Sequence, residues 1–148
     1  MVRGPDLARR PSLIPAHPVS HRLILCIDDD AAILSYEKAL LERFGYSVIT
    51  AASAEQGLGL VTRYEFDAVI LDYSMPDMNG CDVAFEIKCV RPELVVILLS
   101  GGQVPPYALV LVDAFIFKPD ASTELLPTIA TLCSRVRELQ NGRDGLQP

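Results

Sequence analysis

The feature that most constrains this 148-residue chain is a set of five short, mainly apolar runs separated by segments with helical periodicity. Runs of this length are too short for helices and suit strands that are covered on both faces. The segments between them place apolar residues on one side at helical spacing. The predicted strands are 23–27, 47–50, 68–71, 94–99 and 114–117.

The first two predicted helices have start or stop signals. In the first helix, the spacing of the apolar residues predicts which side is buried, and Gly45 is expected to end the helix. The second opens at Ser53, which forms a capping box pattern with Gln56. Gly57 and Gly59 each weaken that second helix by about 1 kcal/mol relative to Ala. The predicted buried side of the first helix is Ile33, Tyr36, Leu40, Leu41 and Phe44.

The later helices are predicted in the same way. Pro92 ends a third helix whose inward residues are Val83, Ile87 and Val90. A short helix is predicted over 107–112. A last helix runs from Ser122 or Thr123 to Gln140, and its predicted buried stripe is Leu125, Leu126, Ile129, Leu132, Cys133, Val136 and Leu139.

Strand and helix thus alternate five times, which predicts an α/β fold. Such a pattern forms a doubly wound parallel sheet with helices on both faces and right-handed crossovers. The length allows one domain with one sizeable core. We expect a flexible leader over 1–22, which holds four of the eleven prolines, a folded domain over 23–140 and a tail over 141–148.

Charge and cysteine content narrow the function classes. Residues 23–134 carry six basic and sixteen acidic residues, which argues against direct binding of nucleic acid. The longest uncharged stretch, 94–112, is broken by Pro105 and Pro106, so no membrane span is expected. The four cysteines show no metal-ligand spacing, and the amino end lacks a secretory apolar core. We therefore expect reduced thiols and a cytoplasmic protein.

Polar residues follow four of the five predicted strands. Asp28, Asp29 and Asp30 follow the first strand, and single polar residues follow three others. Parallel sheets bind ligands beyond the carboxyl ends of their strands, so these side chains are expected in one crevice. Two carboxylates about 4 Å apart repel by roughly 4 kcal/mol at an effective dielectric near 20. A divalent cation offsets this repulsion most directly, and Mg²⁺ prefers oxygen ligands. The single polar residues that follow the other three strands are Asp72, Ser100 and Lys118.

Four motifs in order resemble the receiver domain of two-component response regulators. They are ILCIDDD (24–30), AVILDYSMPDMNG (68–80), VVILLSG (95–101) and FIFKP (115–119). The similarity spans roughly residues 22–140. It implies a flavodoxin-like sheet with strand order 2-1-3-4-5.

The resemblance also implies the roles of the acidic residues. Asp72 corresponds to the phosphoacceptor, which takes a phosphoryl group from a sensor histidine kinase, a phosphotransfer protein or a small phosphodonor. Asp28 and Asp29 correspond to the acidic pair that holds Mg²⁺, with Mn²⁺ as an alternative ion. Asp72 and the backbone carbonyl of Ser74 complete this metal site.

Further residues correspond to the family's switching apparatus. Ser100 matches the hydroxyl that moves to a phosphoryl oxygen, and Lys118 matches the lysine that pairs with the acidic site. Phe115 falls at the aromatic switch position. Gly101 leaves space for phosphoryl oxygens. The Lys118–Pro119 bond is expected to be cis.

One departure from the family pattern concerns the fourth helix. Ser100 and Lys118 are 18 positions apart, about one helical turn fewer than in most relatives, and the proline pair displaces helical residues. The fourth helix should therefore be short or displaced. Too few residues follow position 140 for a DNA-binding module, so we expect either a stand-alone receiver or a piece of a longer protein. In both cases it is expected to act on an unidentified downstream protein and to turn over no external substrate.

Two alternatives remain at the level of sequence. One is an interaction module of receiver fold that no longer uses phosphorylation. The other is a haloacid-dehalogenase-like phosphatase, with its Asp-x-Asp motif placed on Asp28 and Asp30.

Overall fold

The computed structural model describes the backbone of residues 22–145 and the side chains of residues 22–142. The predicted leader, apart from Arg22, and the last part of the predicted tail lie outside the described residues. Among the described residues, no helix has both the length and the apolar character needed to cross a membrane.

The described chain forms one parallel sheet in the order β2-β1-β3-β4-β5, as predicted. The register places Asp72 opposite Leu99 and Ser100 opposite Phe117, so the polar residues lie at the same edge of the sheet. We call this the carboxyl edge and the opposite one the amino edge. The strands are β1 (Leu23–Ile27), β2 (Ser47–Ala51), β3 (Ala68–Asp72), β4 (Val95–Ser100) and β5 (Ala114–Phe117).

Within the described residues, three α-helices and one 3₁₀ turn connect the strands, and a second 3₁₀ turn and a fourth α-helix follow β5. Asp30, Ser53 and Asn79 cap the first three helices through side-chain oxygens that accept backbone N–H groups. Gly45, at φ 96°, follows the first helix in the left-handed conformation. The elements are α1 (Ala31–Arg43), α2 (Ala54–Arg63), α3 (Gly80–Val90), a 3₁₀ turn (Pro106–Val110), a second 3₁₀ turn (Lys118–Asp120) and α4 (Ala121–Gly145).

The core consists of two apolar layers, one on each face of the sheet. One layer packs α1 and α4 against the sheet, and the other packs α2 and α3. The middle strands are buried on both faces, which explains why they read as continuous apolar runs. The helices of both layers pack on the faces of the sheet, and the carboxyl edge carries the polar residues.

The predicted buried side of α1 is correct at Leu41 and wrong at Tyr36 and Phe44, while Ile33 and Leu40 are partly buried. Leu34, Glu37 and Leu41 are buried, whereas Tyr36 and Phe44 are about half exposed. Adjacent helical positions differ by about 100°, so the true face is one position away from the predicted one. The prediction followed the side richer in apolar residues, but the packed side includes a carboxyl group.

The expected short fourth helix is a 3₁₀ turn of five residues. It begins directly after Pro105, and Ala108 is its buried residue. So short a turn leaves much of the neighbouring surface uncovered. The exposed apolar side chains here are Tyr107, Leu109, Val110, Phe115 and Phe117.

The last helix is longer than predicted at both ends. It starts at Ala121 and continues to Gly145, past the predicted end at Gln140. A helix of 25 residues is about 37 Å long, whereas a five-residue strand is about 17 Å long. The final turns therefore extend beyond the sheet, which explains why Leu139 is exposed rather than buried. Val90, at the last position of α3, is also exposed, contrary to the prediction.

Candidate functional site

Three elements bring charged side chains together at the carboxyl edge. Asp28 directly follows β1, Asp72 is the last residue of β3, and Lys118 directly follows β5. Because β1 and β3 are neighbours, the two carboxylates are adjacent by topology rather than by sequence. Asp28 and Asp72 are 1% and 4% exposed, which is unusual for carboxylates.

The Lys118 amine joins the two buried carboxylates. Its Nζ lies 3.0 Å from Oδ1 of Asp72 and 3.4 Å from Oδ2 of Asp28. The other Asp28 oxygen accepts a hydrogen bond of 2.9 Å from the backbone N–H of Asp30. The two carboxylates would otherwise repel each other strongly, and these contacts offset that repulsion.

Burial and charge act in opposite directions on the pKa values here. Burial raises the pKa of Asp28, and the charge of Asp72 adds to this, while the Asp30 N–H and Lys118 oppose it. Burial lowers the pKa of Lys118, but the hydrogen bond and charge of Asp72 outweigh it. The pKa of Lys118 therefore lies above its ordinary value, and the amine stays charged.

Asp29 adds a third carboxylate to this group. Ligand atoms of Asp28, Asp29 and Asp72 all lie within 4.8 Å of one another, and Asp29 is exposed. Opposite ligands of an octahedral Mg²⁺ are about 4.2 Å apart, so small side-chain movements bring these oxygens into coordination range. An all-oxygen, acidic donor set fits Mg²⁺ or Mn²⁺ better than it fits softer metals.

Ser100 is buried and hydrogen-bonded within its own loop. Its hydroxyl donates to the carbonyl of Gly102 at 3.0 Å and accepts from the Gly102 N–H at 3.1 Å. A Cβ atom on Gly101 would meet no atom within 4 Å, so space beside this loop is open. The roles assigned to Ser100 and Gly101 remain predictions.

Phe115 and Ser74 lie near the site but carry no contact that assigns their roles. Phe115 pairs with Leu98 in the sheet, and 36% of its surface is exposed. Ser74 is exposed in the loop after β3, two residues beyond Asp72. The switch role of Phe115 and the metal contact of the Ser74 carbonyl remain predictions.

The expected cis bond before Pro119 is wrong, because the Lys118–Pro119 peptide is trans. Residues Lys118–Asp120 form a 3₁₀ turn, in which the N–H of Ala121 donates to the carbonyl of Lys118. This turn directs the chain from β5 into α4 with a trans bond.

Sequence reasoning missed Gly80 and Glu37. A Cβ atom on Gly80 would lie 2.8 Å from the carbonyl oxygen of Asp72 and 2.7 Å from Leu98, so only glycine lets α3 start directly beneath the acidic residue. Glu37 is buried on α1, where the charge of Asp28 affects it. A carboxyl group at the spacing of Leu34 and Leu41 is the signal that would have identified Glu37.

Comparison with known proteins assigns this arrangement to a family. The sequence model of the response regulator receiver domain family matches residues 24–130. Transcriptional regulatory protein GlrR of Escherichia coli (strain K12) is 37% identical over 91 residues, which is 61% of this chain and 20% of that protein. Sensory/regulatory protein RpfC of Xanthomonas campestris pv. campestris is 33% identical over 124 residues, which is 78% of this chain and 17% of that protein. The chain thus spans about a fifth of the length of these curated relatives.

Solved structures agree with the family match. A CheY-like receiver domain protein from Methanospirillum hungatei JF-1 superimposes with a TM-score of 0.74 at 31% identity, covering 79% of this chain and 97% of that one. A receiver domain from Clostridium thermocellum gives 0.73 at 34% identity, covering 80% and 98%. Response regulator TrrA from Thermotoga maritima, in complex with Mg²⁺–BeF, gives 0.71 at 29% identity, covering 75% and 98%. The chain therefore belongs to the response regulator receiver domain family of two-component signalling proteins.

Proposed function

We propose that this receiver domain accepts a phosphoryl group on Asp72 in an Mg²⁺-dependent reaction, and that this modification switches its contacts with a downstream protein. The observation that carries the proposal is the position of the Asp72 carboxylate. It lies 3.0 Å from the Lys118 amine and within 4.8 Å of the Asp28 and Asp29 oxygens. A similar domain, TrrA, was solved with Mg²⁺–BeF.

The reaction follows from these positions. A carboxylate oxygen of Asp72 attacks the phosphorus, the bond to the donor's leaving group breaks, and the leaving group departs with the electron pair. Phosphoryl transfer depends mainly on positioning and on neutralising the charge of the phosphoryl oxygens. Bound Mg²⁺ would supply Lewis-acid charge between the carboxylates and the phosphoryl group. Lys118 supplies the second cation, moving from the carboxylate to a phosphoryl oxygen.

The switching step involves Ser100. The product carries about −1.5 to −2 charges and strong acceptor oxygens. To donate to one of them, the Ser100 hydroxyl gives up its 3.0 Å bond to the Gly102 carbonyl. This loop leads to the 3₁₀ turn with exposed Tyr107, and the chain then enters β5, which carries Phe115. We infer that the downstream protein responds to a shift between two packings of this region.

The site also bears on the phosphatase alternative. A haloacid-dehalogenase-like phosphatase would need Asp30 as the second carboxylate of its Asp-x-Asp motif. The Asp30 oxygen instead accepts hydrogen bonds from the N–H groups of Ala32 and Ile33, so it caps α1. This capping favours the receiver reading. Sustained hydrolysis of a generic phosphomonoester, lost in Asp28→Asn and retained in Asp72→Asn, would restore the phosphatase.

Phosphorylation of Asp72 is tested by incubating the protein with acetyl phosphate and Mg²⁺ and separating the products on a phosphate-affinity gel. We expect a retarded band that disappears in Asp72→Asn and in the presence of EDTA. Asp82→Asn is the matched control, because Asp82 is an exposed carboxylate in the first turn of α3, outside the site. It should be modified like the parent. The proposal would be contradicted if the parent chain stayed unmodified with every donor, including a histidine kinase, and did not respond to beryllofluoride. That result would favour the interaction module that no longer uses phosphorylation.

A further inference from the structure

A second cavity, which we call the amino-edge cavity, lies at the opposite edge of the sheet from Asp72. Its volume is about 530 Å³. Arg22 lines it just before β1, and Asp67 lines it just before β3. The loop between α3 and β4 and the middle of α4 complete the wall. Asp67 and Asp72 are five positions apart along β3, so about 16 Å separates this cavity from the phosphoacceptor.

Arg22 is the unusual residue of the amino-edge cavity. It is 4% exposed, although a guanidinium is charged at every physiological pH. Its Nη1 atom is buried and has no hydrogen-bond partner within the described part of the chain. An uncompensated buried charge is costly, so a group that neutralises it and accepts its hydrogen bonds would bind favourably.

The described neighbours of Arg22 include one carboxylate in the same cavity, that of Asp67, but it forms no ion pair with Arg22. Burial raises the pKa of the Cys133 thiol, an effect that Arg22 opposes without reversing, so Cys133 stays neutral. Burial likewise raises the pKa of Tyr46. The Asp67 carboxylate accepts a 2.8 Å hydrogen bond from the N–H of Leu23. Within the described residues, Arg22 forms no ion pair.

The remaining lining defines what the cavity accepts. Arg91 and Arg137 add two guanidinium groups, while Glu65 and Glu93 would repel a ligand with several negative charges. Val136 is one of several apolar residues in the wall, and the volume is in the usual range of about 300–1,000 Å³ for small-molecule sites. A guanidinium fork matches the oxygens of a carboxylate or a phosphate.

We propose that the amino-edge cavity binds a small organic oxyanion, with a carboxylate or phosphate group against Arg22 and an apolar body against the wall. The site is separate from the phosphoryl site in position and in chemistry, since one is built on carboxylates and the other on arginines. A ligand here would contact β1, β3, β4 and α4 together.

The proposal is tested by NMR titration of the full ¹⁵N-labelled chain with benzoate and with phenyl phosphate, in EDTA. Without Mg²⁺ the carboxylates at the other edge repel anions. Benzamide serves as the uncharged control of the same shape. We expect saturable shifts at the Arg22 side-chain N–H and at the Asp67 and Cys133 amides, with benzoate or phenyl phosphate and not with benzamide. The two probes distinguish a carboxylate ligand from a phosphate ligand.

Variants then assign the binding to Arg22. Arg22→Met keeps the length of the side chain and removes the buried charge, so affinity should fall about 10- to 100-fold. Arg137→Gln, at an exposed position of α4, should weaken binding less and keeps the test valid if Arg22→Met does not fold. Arg63→Gln, whose side chain lies outside the cavity, should bind like the parent. The proposal would be overturned if neither anion produced saturable shifts. It would also be overturned if Arg22→Met bound the anions like the parent or, where that variant does not fold, if Arg137→Gln did.

Discussion

Glu37 shows how one buried side chain connects the core to the charged site. It is 3% exposed on the side of α1 that faces the sheet, between Leu34 and Leu41. Burial, and secondly the charge of Asp28, raise its pKa to about 8. At neutral pH the folded protein therefore holds this carboxyl group mainly protonated, whereas the unfolded chain ionises it.

The buried proton predicts a pH dependence that Glu37→Gln removes. Between about pH 5 and 7 folding takes up this proton, so the contribution of Glu37 to the free energy of unfolding falls by about 1.4 kcal/mol per pH unit as pH rises. Urea unfolding at several pH values measures it as the difference between parent and variant. Glu42→Gln, at an exposed position of the same helix, is the control. Parallel profiles for the parent and Glu37→Gln would contradict the prediction.

At the scale of single elements, α2 contains two glycines with opposite environments. A Cβ atom on Gly57 would overlap the Cδ1 atom of Ile27 and lie 2.9 Å from its Cγ1, and Ile27 is fully buried in β1. A Cβ atom on Gly59 would meet nothing within 4 Å. Helix propensity assigns both glycines the same cost, so only packing distinguishes them.

Alanine substitutions at these two positions should change stability in opposite directions. Gly57→Ala forces extra volume into a filled layer and should lower the free energy of unfolding by about 1–3 kcal/mol. Gly59→Ala should raise it by up to about 1 kcal/mol through helix propensity alone. Denaturant titration of the two variants side by side measures both effects. Equal changes in the two variants would show that α2 does not pack on Ile27 as described.

The 3₁₀ turn Pro106–Val110 determines the surface of the molecule on the side of β5. A full helix at this place would cover the outer strand, whereas the short turn leaves Phe115, Phe117 and Val110 exposed. Exposed apolar clusters on small domains commonly mark contact surfaces. The region proposed to respond to phosphorylation therefore also carries exposed apolar side chains that a partner could contact.

At the scale of the whole molecule, the acidic group makes stability depend on the metal. Three carboxylates with oxygens within 4.8 Å repel one another, and only one lysine pairs with them. This repulsion favours the unfolded chain, where the carboxylates separate. Divalent metal that binds only the folded state stabilises it by mass action.

Magnesium should therefore raise the free energy of unfolding by about 1.4 kcal/mol at ten times its dissociation constant. Asp29→Asn should lose that gain while making the metal-free protein more stable, because it removes one repelling charge. Thermal unfolding with MgCl₂ and with EDTA, at matched ionic strength, measures both effects. Equal melting of the parent in the two conditions would contradict the metal site.

The sequence alone determined the five strands, the first three helices, the last helix and the residues that follow each strand. Five apolar runs too short for helices leave few folds open, and the resemblance to receiver domains supplied the strand order. Asp28, Asp29, Asp72 and Lys118 could be selected because parallel strands end at one edge. The local cap at Ser53 also followed from sequence, since it depends on a neighbour three positions away.

The tertiary structure alone decided which face of α1 is buried, which glycine of α2 is packed and how the chain turns at Pro119. Each depends on atoms distant in sequence, such as Ile27 beneath Gly57. The amino-edge cavity belongs to the same class, because Arg22 and Arg137 are 115 positions apart and meet only when α4 packs on the sheet. The periodicity of apolar residues depends only on the sequence of one segment, whereas the packing of that segment depends on which surfaces of other segments it meets.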